Sequence, residues 1–290
     1  MDEMKKSLIM TALLGASLLL CAPLALAHDL WLNPDNARPN VGDAVKVDIG
    51  FGHGYPADRA GEPLKEGMQI DVTAVGPDGQ AVAVQSPSAG SRQLTVDKPG
   101  AYMVQAQTKP GFFCRTKDGM RRGDKKQNPG ATKCMSFTMC ANAPLVAGPG
   151  GGEFVMAADQ ALQIQPLADL ATVKKGDALP VRVLFEGKPL AEAKVVATYA
   201  GYKPQPPAGA AAPPKDNKPL SRREAARQKA MQKTAVHFPV EVKTDAQGQA
   251  TLKLDQAGWW LVLVGHATPY ADPSVCDENM YKTSFTFNVN

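Results

Sequence analysis

The sequence predicts a mainly β protein of two immunoglobulin-like or transthyretin-like β-sandwich domains, and three observations carry that prediction. Short runs of alternating apolar and polar residues recur between turn signals spaced about ten residues apart. An eleven-residue pattern occurs twice, as Leu94-Thr-Val-Asp-Lys-Pro-Gly-Ala-Tyr-Met-Val104 and as Leu252-Lys-Leu-Asp-Gln-Ala-Gly-Trp-Trp-Leu-Val262. A glycine-rich run, Gly148 to Gly152, lies between the copies and cannot pack as a strand interior.

In chain order, Lys5 and Lys6 precede an apolar stretch from Leu8 to Leu20, and Ala25-Leu26-Ala27 closes it with small residues. This is the pattern of a cleaved signal peptide over residues 1–27, so His28 is expected to begin a mature, periplasmic protein. The first domain is expected over residues 28–147. Gly42-Asp43 opens a strand from Val45 to Phe51, and Gly76-Pro77-Asp78-Gly79 marks a turn between alternating runs. The repeated pattern then reads as strand, tight turn and strand. A basic loop from Arg115 to Lys133 leads into the strand-like run Cys134 to Cys140.

Residues 148–160 are expected to link the halves, and residues 161–290 to form the second domain. There Gly176-Asp177 opens a strand from Leu179 to Phe185, in the same order as in the first half. An insertion over 203–235 interrupts the pattern. Its Pro- and Ala-rich part should be extended, and Ser221 with Glu224 forms a capping box ahead of a basic helix running to Lys233. The apolar run Trp259 to Val264 is too short to span a bilayer and reads as a core strand.

A net charge of +4 is far from a nucleic-acid-binding balance. No Gly-x-Ser-x-Gly elbow, phosphate loop, dinucleotide fingerprint or His-Glu-x-x-His appears, so no motif here argues for an enzyme. Four cysteines follow the leader: Cys114, Cys134, Cys140 and Cys276. An even count in an exported chain favours two disulfides. Three connectivities are possible. The one joining Cys134 to Cys140 would span roughly 20 Å on one strand, too far for a bond. Of the two that remain, the preferred one closes a loop with Cys114 and Cys134 and joins Cys140 to Cys276.

The candidate chemistry rests on histidine, of which there are 4. His28, once freed by cleavage, carries an α-amine and an imidazole that can chelate one transition-metal ion. His53 sits between Gly52 and Gly54 at a strand end, and His266 follows the strand that starts near Trp259. His237 reads as an exposed strand residue. A site of His28 and His53 with His266 as third ligand is chemically sensible, and Asp29 is expected to assist as a ligand or by orienting an imidazole. Affinity should fall below about pH 7 as the amine protonates.

His28-Asp29-Leu30-Trp31, Phe51-Gly52-His53, Gly111-Phe112-Phe113, Gly258-Trp259-Trp260, His266-Ala-Thr-Pro and Asp272-Pro-Ser-Val-Cys276-Asp together resemble a bacterial periplasmic family. Its formal status is a domain of unknown function, and its members are often labelled nickel- or cobalt-transport accessory proteins. The resemblance implies a protein that binds Ni²⁺ or Co²⁺ through His28, His53 and His266 and passes it to an inner-membrane metal importer. Two alternatives stand beside it: a copper-binding protein using the terminal histidine chelate, and a non-catalytic adhesion or scaffold module.

Overall fold

The computed structural model describes residues 28–58, 60–63, 68–149, 151–156, 160–203 and 238–290. All regular structure in these residues is β-strand. The first half contributes β1 (Asp29–Pro34), β2 (Ala44–Gly52), β3 (Ile70–Val75), β4 (Ala81–Val82), β5 (Gln85–Ser88), β6 (Ser91–Thr95), β7 (Gly100–Thr108), β8 (Gly111–Thr116), β9 (Gly119–Arg122) and β10 (Lys133–Ala147). The second contributes β11 (Leu162–Pro166), β12 (Ala178–Phe185), β13 (Lys188–Pro189), β14 (Lys194–Tyr199), β15 (Val240–Lys243), β16 (Gln249–Lys253), β17 (Gly258–Pro269) and β18 (Glu278–Val289). The leader, the insertion helix and His237 lie outside the described residues.

The repeat is structural. In each half the conserved pattern is a corner that carries the chain from an outer sheet into a central one: β6 to β7, and β16 to β17. The hydrogen bonds coincide. Gly42 N donates to Val96 O and Gly176 N to Leu254 O, both at 2.7 Å, while Val96 N returns to Asp43 O and Leu254 N to Asp177 O, both at 3.0 Å. The Asp43 and Asp177 carboxylates each accept the backbone N–H three residues earlier, from Asn40 and Lys174. An aromatic side chain then pins each corner: Tyr102 Oη donates to Lys98 O at 3.0 Å, and Trp260 Nε1 to Gln256 O at 2.9 Å. Gly100 and Gly258 both lie at positive φ, 129° and 101°, which is why glycine opens each inner strand.

The halves meet in one sheet rather than through the linker alone. Its main path runs β15-β14-β17-β18-β10-β7-β3-β4, with β8 and β9 branching from β10. Equivalent strands β10 and β18 join it at the middle, and they pair in parallel. The other pairs along this path are antiparallel. A half-turn about a line along these two strands preserves strand direction and exchanges the faces of the sheet. The side chains obey that geometry. Register sets Ala141 beside Ser284 and Asn142 beside Phe285. Ala141 belongs to the first core, with Leu30, Val47, Ile49, Tyr102 and Leu145, whereas Phe285 belongs to the second, with Leu179, Val183, Trp260 and Val262. The outer sheet β1-β2-β6-β5 therefore covers one face and β11, β12, β13 and β16 cover the other.

At the seam, Gln105 Nε2 donates to Asn142 Oδ1 at 2.8 Å, and Asn142 Nδ2 donates to Thr283 Oγ1 and Ser284 O. A slip of one residue in the parallel pair would leave this buried amide unsatisfied, which costs about 1–3 kcal/mol. β1 also reaches past the seam: Trp31 packs on Leu261, Leu263 and Val196 of the second half. Gly50 opposes Trp31 across β1 and β2, and a methyl there would stand 1.9 Å from the indole Nε1.

A candidate two-histidine site

His28 and His53 come together through β-pairing. The antiparallel register of β1 and β2 ends with Asp29 opposite Gly52, so the next residue on each strand faces its counterpart. The His28 and His53 rings lie 4.5 Å apart, tilted by 39°. His28 also stacks on Phe51 at 4.9 Å and 18°. His28 thus contacts both an aromatic face and a second imidazole.

The loop after β2 is held by Asp58. Its carboxylate accepts the backbone N–H groups of His53 at 3.0 Å and Gly54 at 2.7 Å, and its carbonyl accepts from Phe51. A Cβ at Gly52 or Gly54 would come within 2.6 or 2.8 Å of the Asp58 side chain. The glycines flanking His53 therefore make room for the group that fixes its backbone. Beyond them Pro56 O accepts from Asn33 Nδ2 at 3.0 Å and Trp31 Nε1 at 3.4 Å, tying the loop back to β1. Tyr55 packs edge-on to Trp31, and burial pushes its phenol well above the usual range.

Asp29 forms an ion pair with Lys282 of β18, and both side chains are largely buried. Its carboxylate is engaged with an ammonium, so it anchors the start of β1 to the central sheet. His266 lies elsewhere. It pairs with Tyr281 across β17 and β18 and packs on Phe185 at 4.5 Å. Tyr281 and Lys282 are consecutive on a strand and point to opposite faces, which puts His266 on the face away from Asp29. Burial lowers its imidazole below the ordinary value, with Glu186 partly opposing the shift. Of the three histidines expected in one site, the structure brings together two.

The cysteines also differ from expectation. Cys114, Cys134 and Cys276 form one buried cluster, and Cys276 Sγ lies 2.7 Å from Cys134 Sγ. Cys140 sits far along β10, opposite Gln107, whose Oε1 is 3.2 Å from its sulfur. With six residues of extended strand, roughly 20 Å, between Cys134 and Cys140, the pairing of Cys140 with Cys276 is not available.

A metal bound by an imidazole lies about 2 Å from the nitrogen, so two imidazoles that bind one ion with their nitrogens about 90° apart at the metal have ring centroids about 4–5 Å apart. The His28–His53 spacing fits that arrangement. Among the described residues, no group of three or more His, Cys, Asp or Glu side chains is arranged to hold a metal ion. An α-amine on His28, once freed by cleavage, would supply a third donor at this site. Sequence reasoning missed Phe51, Asp58 and Lys282 as the supports of this pair. Of these, only Asp58 had a local signal, the spacing Gly-His-Gly-x-x-x-Asp.

The fold defines a duplicated β-sandwich protein with a histidine pair at one strand end. A family described as Domain of unknown function (DUF4198) matches residues 25–268, and the chain belongs to that family. No curated protein matches it. Among solved structures it is similar to the D0-D1 domain of Intimin, at 16% identity over 90% of this chain and 98% of that one, with a TM-score of 0.21. It is also similar to the Yersinia pseudotuberculosis adhesin InvE, at 15% identity over 90% and 59% with a TM-score of 0.19. The Escherichia coli adhesin FdeC aligns at 14% identity over 92% and 65%, with a TM-score of 0.22.

Proposed function

We propose that this protein, cut after Ala27 and exported to the periplasm, captures one divalent transition-metal ion between His28 and His53. The observation that carries the reading is the 4.5 Å spacing of the two rings. The ion is cargo, held by the His28 amine, its imidazole and the His53 imidazole. Phe51 and the Asp58-braced loop hold the rings in place before the ion arrives, which reduces the ordering cost of binding. Asp29, neutralised by Lys282, fixes β1 and supplies no donor. Nickel or cobalt, handed to an inner-membrane importer, is the cargo that the family resemblance implies.

Copper is the second reading, favoured by one observation: His266 lies on the other face of the sheet. Two imidazoles and an amine form a small nitrogen donor set, and divalent affinities for such a set rise through cobalt and nickel to copper. Calorimetric titration of Co²⁺, Ni²⁺, Cu²⁺ and Zn²⁺ into protein beginning at His28 tests both readings. One-to-one binding should vanish when an alanine precedes His28, weaken by at least about tenfold in His53→Ala, and persist in His266→Ala. Preference among the metals separates the nickel or cobalt carrier from the copper reading. Equal binding with and without the added alanine would sink the chelate and leave an adhesion or scaffold module.

A further inference from the structure

We propose that Cys134 and Cys276 are joined by a disulfide, with Cys114 kept beside them as a buried thiol. The three sulfurs belong to one fully buried cluster, walled by Phe112, Tyr270 and Val275. This inference does not involve His28 or His53, so it stands or falls separately from the metal reading.

Two partners compete for Cys134, and geometry decides between them. Cys114 lies directly opposite on β8. Opposed residues of antiparallel strands hold their Cβ atoms about 4.5–5.5 Å apart, whereas a disulfide needs about 3.5–4.5 Å. A bond there would require the strands to draw together. Cys276 is at the end of a turn, where Val275 N and Cys276 N both donate to Asp272 O, and it brings its sulfur to 2.7 Å.

The surrounding contacts hold that turn against β10. Cys134 N donates to the Asp277 carboxylate at 2.7 Å, and Asp277 N donates to Cys134 O at 3.2 Å. Lys125 Nζ bridges Asp277 at 2.5 Å and Pro273 O at 2.8 Å, and its N–H reaches Val275 O. Burial and the neighbouring sulfurs push the Cys134 thiol well up, so once folded it is a poor nucleophile. Because Cys114, Cys134 and Cys276 are also fully shielded from solvent, a disulfide donor reaches them only while the chain is folding. Two thiols lose two protons and two electrons to a disulfide donor, which leaves as two thiols. The result is a covalent tie between positions 142 residues apart in sequence, across the seam between the halves.

The test is to refold the chain beginning at His28, which lacks Cys21, from denaturant with oxidised glutathione as the disulfide donor, block remaining thiols and map the peptides. A Cys134–Cys276 link, with Cys114 and Cys140 both blocked, is the result expected. A Cys114–Cys134 link, any link to Cys140 or four blocked cysteines would overturn the proposal. Cys114→Ser should retain the link. Cys276→Ser should melt about 5–10 °C below wild type after oxidative refolding and close to wild type when both are kept reduced. An equal deficit under both conditions would indicate packing alone and would count against the bond.

Discussion

His266 and Lys282 show how neighbouring register positions on one sheet acquire unrelated duties. His266 packs against Phe185 and Tyr281, and burial favours its neutral form. Its folded-state pKa lies below the unfolded value of about 6.5, so the unfolded chain binds the proton more tightly. Its contribution to stability is thus fully present above about pH 6.5 and is lost as pH falls towards the lower folded value. Urea midpoints measured between about pH 7.5 and about pH 5 should therefore drop in the wild type by more than in His266→Gln. A drop of the same size in both would mean that other groups titrate in that window. Lys282, one residue from Tyr281, faces the opposite way and neutralises Asp29. Identical strand geometry yields a packing histidine on one face and an anchored strand end on the other. The sequence carries the alternation but not which face meets which partner.

Elements show what repetition in a sequence reports. The paired motifs at Leu94–Val104 and Leu252–Val262 were legible because each residue type answers a local demand. Leucine is buried at the end of the outer strand, aspartate or its neighbour accepts in the turn, glycine takes positive φ, and an aromatic ring bonds back over the corner. Gly42-Asp43 and Gly176-Asp177 were legible for the same reason, since each docks on its corner through the same two backbone hydrogen bonds. The Trp260 corner permits a clean test. Trp260→Phe removes the Nε1–Gln256 bond from a fully buried ring and leaves a small void, which should cost about 2–3 kcal/mol in urea unfolding. A change within about 0.5 kcal/mol would show that the corner is held by its backbone alone. The site loop was less legible. Gly52 and Gly54 suggested a close backbone approach, but the approaching group, Asp58, is identified only by the fold.

For the whole molecule, a continuous central sheet changes how two sandwiches behave. Strands β10 and β18 pair over eight register positions from Met135–Glu278 to Asn142–Phe285. Trp31 of the first half is buried against Leu261 and Leu263 of the second. Splitting the halves would expose two sheet edges, the buried Asn142 amide and a large indole. Unfolding of the full chain should consequently be one cooperative transition, with calorimetric and van't Hoff enthalpies equal within about 10–15%. Two resolved transitions would show that the halves fold and melt as independent beads.

By itself the sequence determined the β class, the two-fold repetition, the corner chemistry and the pairing of a histidine with a strand end. Each of these depends on residues close together in the chain, where spacing translates directly into turns and alternation. Only the tertiary structure decided that His28 meets His53 while His266 does not, that Asp29 belongs to Lys282, and that Cys276 reaches Cys134. Those outcomes depend on which strand neighbours which and on the face each side chain takes. A parallel join of equivalent strands places the halves on opposite faces of one sheet. Residues that look alike in the two halves are thereby carried to opposite sides, which no spacing along the chain encodes.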